Sequence, residues 1–144
     1  MGMPETLHKL LTAAGPSGYE QAPAAVFRDA ASAFAETSVD VMGTTLARVK
    51  GTGDGPTVAV VGHIDEIGLI VTHVDDNGFL RFTGVGGWDP QNLVGQRVEV
   101  ATRDGVVPGV VGKKPIHLMK DEDRKKGPEL KHLHIDIGAA SSAT

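Results

Sequence analysis

Ala59-Val60-Val61-Gly62-His63-Ile64-Asp65-Glu66-Ile67-Gly68-Leu69-Ile70 decides how this chain is read. From Val58 to Val61 the apolar residues run without alternation. That pattern predicts a strand covered on both faces, as at the centre of an α/β sheet, and not a half-wet antiparallel one. In such sheets ligands collect at the carboxyl ends of the strands, and this run ends at His63. Side chains at i and i+2 of extended backbone share a face, so His63 and Asp65 stand together. Two readings are open at this point. The pair is either a hydrogen-bonded strand end, or an imidazole that binds a cation while the carboxylate fixes its tautomer or orients a metal-bound water.

Upstream of this run the spacing is helical. Leu7, Leu10, Leu11 and Ala14 predict a first helix that Gly15-Pro16 breaks. Ser17-x-x-Glu20 has the spacing of a capping box ahead of a second helix, whose apolar stripe is Val26, Phe27, Ala30 and Phe34. Val39 to Met42 and Leu46 to Lys50 read as strands joined at Gly43, and Asp54-Gly55 turns the chain into the central strand. Helices ahead of a buried strand make the fold class α/β, with only half a sheet in hand.

From about residue 69 short strands alternate with turn signals, the pattern of a small barrel or sandwich. Asp75-Asp76-Asn77-Gly78 and Arg103-Asp104-Gly105 are hairpin turns between strands such as Leu69 to Val74, Phe79 to Phe82, Arg97 to Ala101 and Val106 to Val111. Two domains follow, residues 1–68 and 69–144.

Composition narrows the chemistry. The 144 residues are 40% hydrophobic and 22% charged, ordinary for a globular chain, but with one Trp, one Tyr and four Phe the core must be aliphatic. There is no Cys, so any metal must be held by His and carboxylates. A net charge of −4 offers nothing to phosphate, which argues against nucleic acid. No stretch approaches the roughly 18 apolar residues of a membrane span. A cytoplasmic location is expected.

Seven pieces, in order, resemble the glutamyl aminopeptidase and cellulase-M family of co-catalytic metallopeptidases, which includes the tetrahedral aminopeptidases. They are Pro16-Ser17-Gly18-Tyr19-Glu20, Asp40-Val41-Met42-Gly43, Gly62 to Val71, Val85-Gly86-Gly87-Trp88-Asp89, Leu93 to Val98, Gly109 to Gly112 with Lys114-Pro115-Ile116-His117, and Ile135 to Ala139. The resemblance implies hydrolysis of N-terminal residues from peptides by two divalent ions, zinc or cobalt. In the family these are held by a His, a bridging Asp, a Glu, a further acidic residue and a last His, with another Glu as general base. Of this set only the first His is matched, by His63 as metal ligand. Asp65 matches the Asp that supports it, and is the catalytic candidate. The resemblance also implies that the chain stops early. One His does not hold a metal pair, since a catalytic zinc normally has about three protein ligands, so the fragment alone is expected to be inactive. The implied architecture is an incomplete αβα peptidase sandwich over 1–68, with a half-sheet and two helices. An inserted PDZ-like β-barrel follows over 69–144, through which homo-oligomers form and beside which peptides enter.

Two other functions compete. A non-catalytic self-association module would use the barrel alone. A glycoside hydrolase, as some relatives were named, would need two carboxylates flanking a sugar bond, and no such pair stands out. Gly84-x-Gly86-Gly87 reads as a loop among strands, since no helix follows to face a phosphate. Trp88 either plugs the barrel end or touches a partner subunit. His117 has an implied structural or interface role. His132-x-His134-x-Asp136 shares one face of a strand whose other face is Leu133, Ile135 and Ile137, which makes a cation site geometrically possible, but the better reading is the wet side of that strand, and Lys120 to Lys126 is a solvated loop or short helix.

Overall fold

The computed structural model describes residues 2–143, and these fall into two compact units that divide between Glu66 and Ile67. In the first unit, helix α1 (Glu5–Thr12) begins after Pro4, with Glu5 in its first turn paired to Lys9 at 2.7 Å. Helix α2 (Gln21–Ala31) buries Pro23, Ala24 and Ala31. Val26, Phe27 and Ala30 of the expected stripe are half-buried, whereas Phe34 is exposed beyond the helix end. The capping box does not form. The Ser17 hydroxyl is engaged elsewhere, and the Glu20 carboxylate accepts the Gly18 N–H at 2.6 Å.

Strands β1 (Glu36–Val39) and β2 (Thr45–Arg48) form an antiparallel hairpin, each lying earlier in the chain than the apolar residues predicted. Asp40 is the reason. Its Oδ1 accepts the N–H groups of Met42 and Thr44, both at 2.9 Å, so Asp40 to Gly43 becomes the turn and leaves Val41 and Met42 exposed at its tip. The strand expected from Val58 to Val61 does not form either. The segment has no regular structure, and Val60 and Val61 are 98% and 89% exposed. A central strand takes its hydrogen bonds from neighbours on both sides, and among the described residues no neighbouring strand accompanies this run.

The second unit carries most of the core. Five antiparallel strands lie in the order β3-β4-β7-β6-β5: β3 (Gly68–Val74), β4 (Leu80–Val85), β5 (Arg97–Thr102), β6 (Gly105–Lys113) and β7 (Leu133–Asp136). Alternation selects the buried side chains, namely Leu80 and Phe82 of β4, Val111 of β6 and Leu133 and Ile135 of β7, closed by Leu93. Leu93 ends the short helix α3 (Pro90–Leu93), which Asp89 caps by accepting the Gln91 N–H at 2.9 Å.

Both predicted hairpin turns are present. Gly78 (φ 83°) ends the first, where Asp75 Oδ1 takes the N–H groups of Asn77 and Phe79, and Gly105 (φ 131°) ends the second. Trp88 packs against the core and donates its indole N–H to the Gly68 carbonyl at 2.8 Å, an inward-facing position. Within the charged run, Asp121–Arg124 forms the one-turn helix α4.

Candidate metal-ligand site

His63 and Asp65 meet as the i, i+2 spacing predicts, although the backbone between them belongs to no strand. The Nδ1 atom of His63 lies 2.9 Å from Oδ1 of Asp65 and 3.0 Å from the Asp65 backbone carbonyl. A carbonyl and a carboxylate oxygen only accept, so Nδ1 must carry the hydrogen. In the neutral ring the lone pair is then on Nε2. The side chain is 86% exposed, which leaves that nitrogen open to a ligand. A metal-binding histidine uses this arrangement, with the ring N–H opposite the ligating nitrogen given to a carboxylate.

Asp65 is held in turn. Its Oδ2 accepts the hydroxyl hydrogen of Ser17. The Ser17 hydroxyl foremost, and then the His63 ring, hold the Asp65 carboxyl below its usual range and so keep it ionised. The loop that carries Ser17 is joined to the next residue, Glu66. The Glu66 N–H donates to the Gly15 carbonyl at 2.9 Å, the Ser17 N–H donates to the Glu66 carbonyl at 3.2 Å, and Glu66 Oε1 accepts the Gly15 N–H at 3.0 Å. Pro16 and Glu66 thereby form a parallel bridge. Neither Ser17 nor Glu66 was a candidate on sequence grounds. Ser17 reads as a helix cap through its spacing to Glu20, and no periodicity links it to residues some fifty positions later.

The other histidines singled out in the sequence go elsewhere. His134 lies against Phe79, with ring centroids 4.6 Å apart and the planes tilted by 57°, and burial and then the Arg81 charge lower its pKa. Asp136 turns to its own backbone, accepting the Gly138 N–H at 2.8 Å, and His132 ends a one-turn 3-10 helix, so the strand-spaced trio does not converge. His117 lies in another exposed 3-10 turn, Ile116–Leu118. Among the described residues no three of His, Cys, Asp and Glu come together as a metal cage. The donor set therefore fits one metal-ligand position with its support and does not amount to a whole centre.

A model of the M42 glutamyl aminopeptidase family matches residues 43–144. FrvX of Escherichia coli K12 is 40% identical over 139 residues, which is 95% of this chain and 38% of that protein. The TET aminopeptidase from the marine sediment archaeon Thaumarchaeota archaeon SCGC AB-539-E09 superposes with a TM-score of 0.90 at 40% identity, over 95% of this chain and 39% of its own. The Pyrococcus horikoshii TET1 peptidase, which can assemble into a tetrahedron or a large octahedral shell, gives a TM-score of 0.79 at 38% identity, over 95% of this chain and 41% of its own. The chain thus spans about two-fifths of the length of the relatives it matches.

Proposed function

Because this chain belongs to the M42 glutamyl aminopeptidase family, we propose that it forms the N-terminal part of a dinuclear metal-dependent aminopeptidase that removes N-terminal residues from peptides. His63 is the first metal ligand, through Nε2, and Asp65 is the carboxylate that fixes its tautomer and orientation. The observation that carries this reading is the acceptor pair on Nδ1 together with the exposed ring. Zinc or cobalt suits an imidazole donor beside carboxylates. When bound, such ions supply Lewis acidity for the attack of water on the peptide bond. This chain contributes the placement of one imidazole, its proton on Nδ1 and an ionised carboxylate behind it. A single ligand does not retain a metal pair, so the fragment alone is inactive and the other ligands and the general base come from the remaining length that the relatives possess.

In the same reading residues 1–68 belong to the catalytic domain and residues 69–144 form the PDZ-like barrel through which homo-oligomers assemble. The P. horikoshii relative's shells support the homo-oligomeric assembly alone. No helix among the described residues is long and apolar enough to cross a membrane, and the proposed location is the cytoplasm.

The test is a chimera in which this chain replaces the matching stretch of the marine-archaeal TET aminopeptidase, assayed on aminoacyl p-nitroanilides with added zinc or cobalt. Turnover is expected, with a loss of about 100-fold or more in the His63→Ala variant. Equal rates in the two would remove His63 from the chemistry.

A further inference from the structure

We propose that Ser17 is a positioning residue for His63: its hydroxyl clamps one oxygen of the Asp65 carboxylate so that the other fixes the imidazole as the Nδ1–H tautomer. The inference rests on the reading of His63 as a metal ligand and adds a residue to it. A carboxylate on a mobile side chain turns toward water when nothing restrains it, and an Asp rotor held at one oxygen alone still swings. Asp65 is held at both, by Ser17 on Oδ2 and His63 on Oδ1.

The backbone of Ser17 is itself held in place. The Gly15 carbonyl and the Gly15 and Ser17 N–H groups all bond Glu66, which puts Ser17 opposite Asp65. The loop is closed behind it by the Tyr19 N–H on the Pro16 carbonyl at 2.7 Å, a turn that needs Gly18 at φ 91°. The relay therefore runs from a fixed backbone, through one hydroxyl and one carboxylate, to the ring proton. Without the hydroxyl, the Asp65 backbone carbonyl at 3.0 Å is the remaining restrained acceptor for Nδ1, and the tautomer bias weakens.

The experiment reads the ring directly. Nitrogen-15 NMR of His63 is recorded for the full chain in alkaline buffer, where imidazoles are neutral, with the amide spectrum of residues 67–143 as the folding control. Wild type is expected to show a protonated Nδ1 and an unprotonated Nε2. Ser17→Ala is expected to shift both nitrogens toward the solution mixture, in which the Nε2–H form dominates, and Ser17→Thr, which keeps the hydroxyl, to restore the wild-type shifts. Wild-type shifts in Ser17→Ala overturn the proposal. So does a Ser17→Thr spectrum that follows alanine, because the loop and not the hydroxyl would then set the tautomer. Addition of zinc to the chimera, where the added length supplies the further ligands of the proposed reading, separates this result from the reading it rests on: a broadened or shifted Nε2 supports the metal role of His63, and a His63 indifferent to zinc there but dependent on Ser17 removes that role while keeping the clamp. In the chimera, Ser17→Ala is expected to lower zinc affinity or kcat/KM by about 10–100-fold, as loss of a partner behind a metal ligand does.

Discussion

Gly15 sits where a side chain has no room. A Cβ built on it would lie 2.5 Å from Cγ and 3.0 Å from Cδ of Pro23, a buried ring in the first turn of α2 that cannot swing aside. An alanine there must displace the loop, and the loop carries the Gly15 carbonyl that receives the Glu66 N–H. Gly15→Ala is therefore expected to release the Glu66 amide to hydrogen exchange and to loosen the Ser17–Asp65 contact, with the amides of β4, β6 and β7 unchanged. An unaltered Glu66 amide would show that the loop absorbs the methyl group. The same residues show what a sequence can reveal at this scale. His63 and Asp65 are legible as a pair because their contact is local, between residues two apart in the chain. Ser17 is not, because its partner lies 48 residues away and was brought there by backbone hydrogen bonds that leave no pattern in the side chains. Its spacing to Glu20 pointed to a helix cap instead.

At the scale of elements, the hairpins of the second unit could be read because Asp, Asn and Gly encode each turn locally. The β7 strand could be read because its two faces differ, and its energetics follow from that difference. Leu133 is 1% exposed among Leu80, Val111 and Ile135. Truncation to alanine is expected to cost about 2–5 kcal/mol, measured as a lower urea midpoint through the fluorescence of Trp88, the chain's only tryptophan, which packs on the same core. On the other face, His134 lies over Phe79, and burial and then Arg81 make the folded ring a poorer base than the unfolded one. The unfolded state thus binds the proton more readily, so stability is complete above the ordinary imidazole value near 6.5 and falls as pH drops through and below it. The urea midpoint is expected to decline from pH ~7 to pH ~5.5 and to flatten in His134→Gln. Asp75 does not confuse the result. Although burial raises its pKa, the Phe79 N–H and the Arg81 guanidinium outweigh this and hold it below the usual carboxylate range, so it titrates in stronger acid.

At the scale of the molecule, burial is uneven between the two units, and this explains the one element whose apolar pattern was clear but whose structure is absent. The second unit closes a core of Leu80, Phe82, Leu93, Val111, Leu133 and Ile135, whereas the fully buried apolar residues of the first are Ala24 and Ala31 beside Pro23. A run such as Val58 to Val61 gains little from propensity by itself. It becomes a strand only when carbonyls and N–H groups on both sides accept its own and when other elements cover its two faces. The run records an environment, and that environment is more than these residues supply. This yields a measurement. In the chain alone, the amides of residues 58–61 are expected to exchange with deuterium at nearly the rate of an unstructured peptide, while those of β4, β6 and β7 are protected. On the proposed reading the added length of the chimera with the marine-archaeal TET aminopeptidase supplies partner strands, and the same four amides are expected to slow there by orders of magnitude. Fast exchange persisting in a folded, active chimera would mean that the run is not a central strand there either. The placement of His63 would then have to come from the Gly15–Ser17 loop and Glu66 alone.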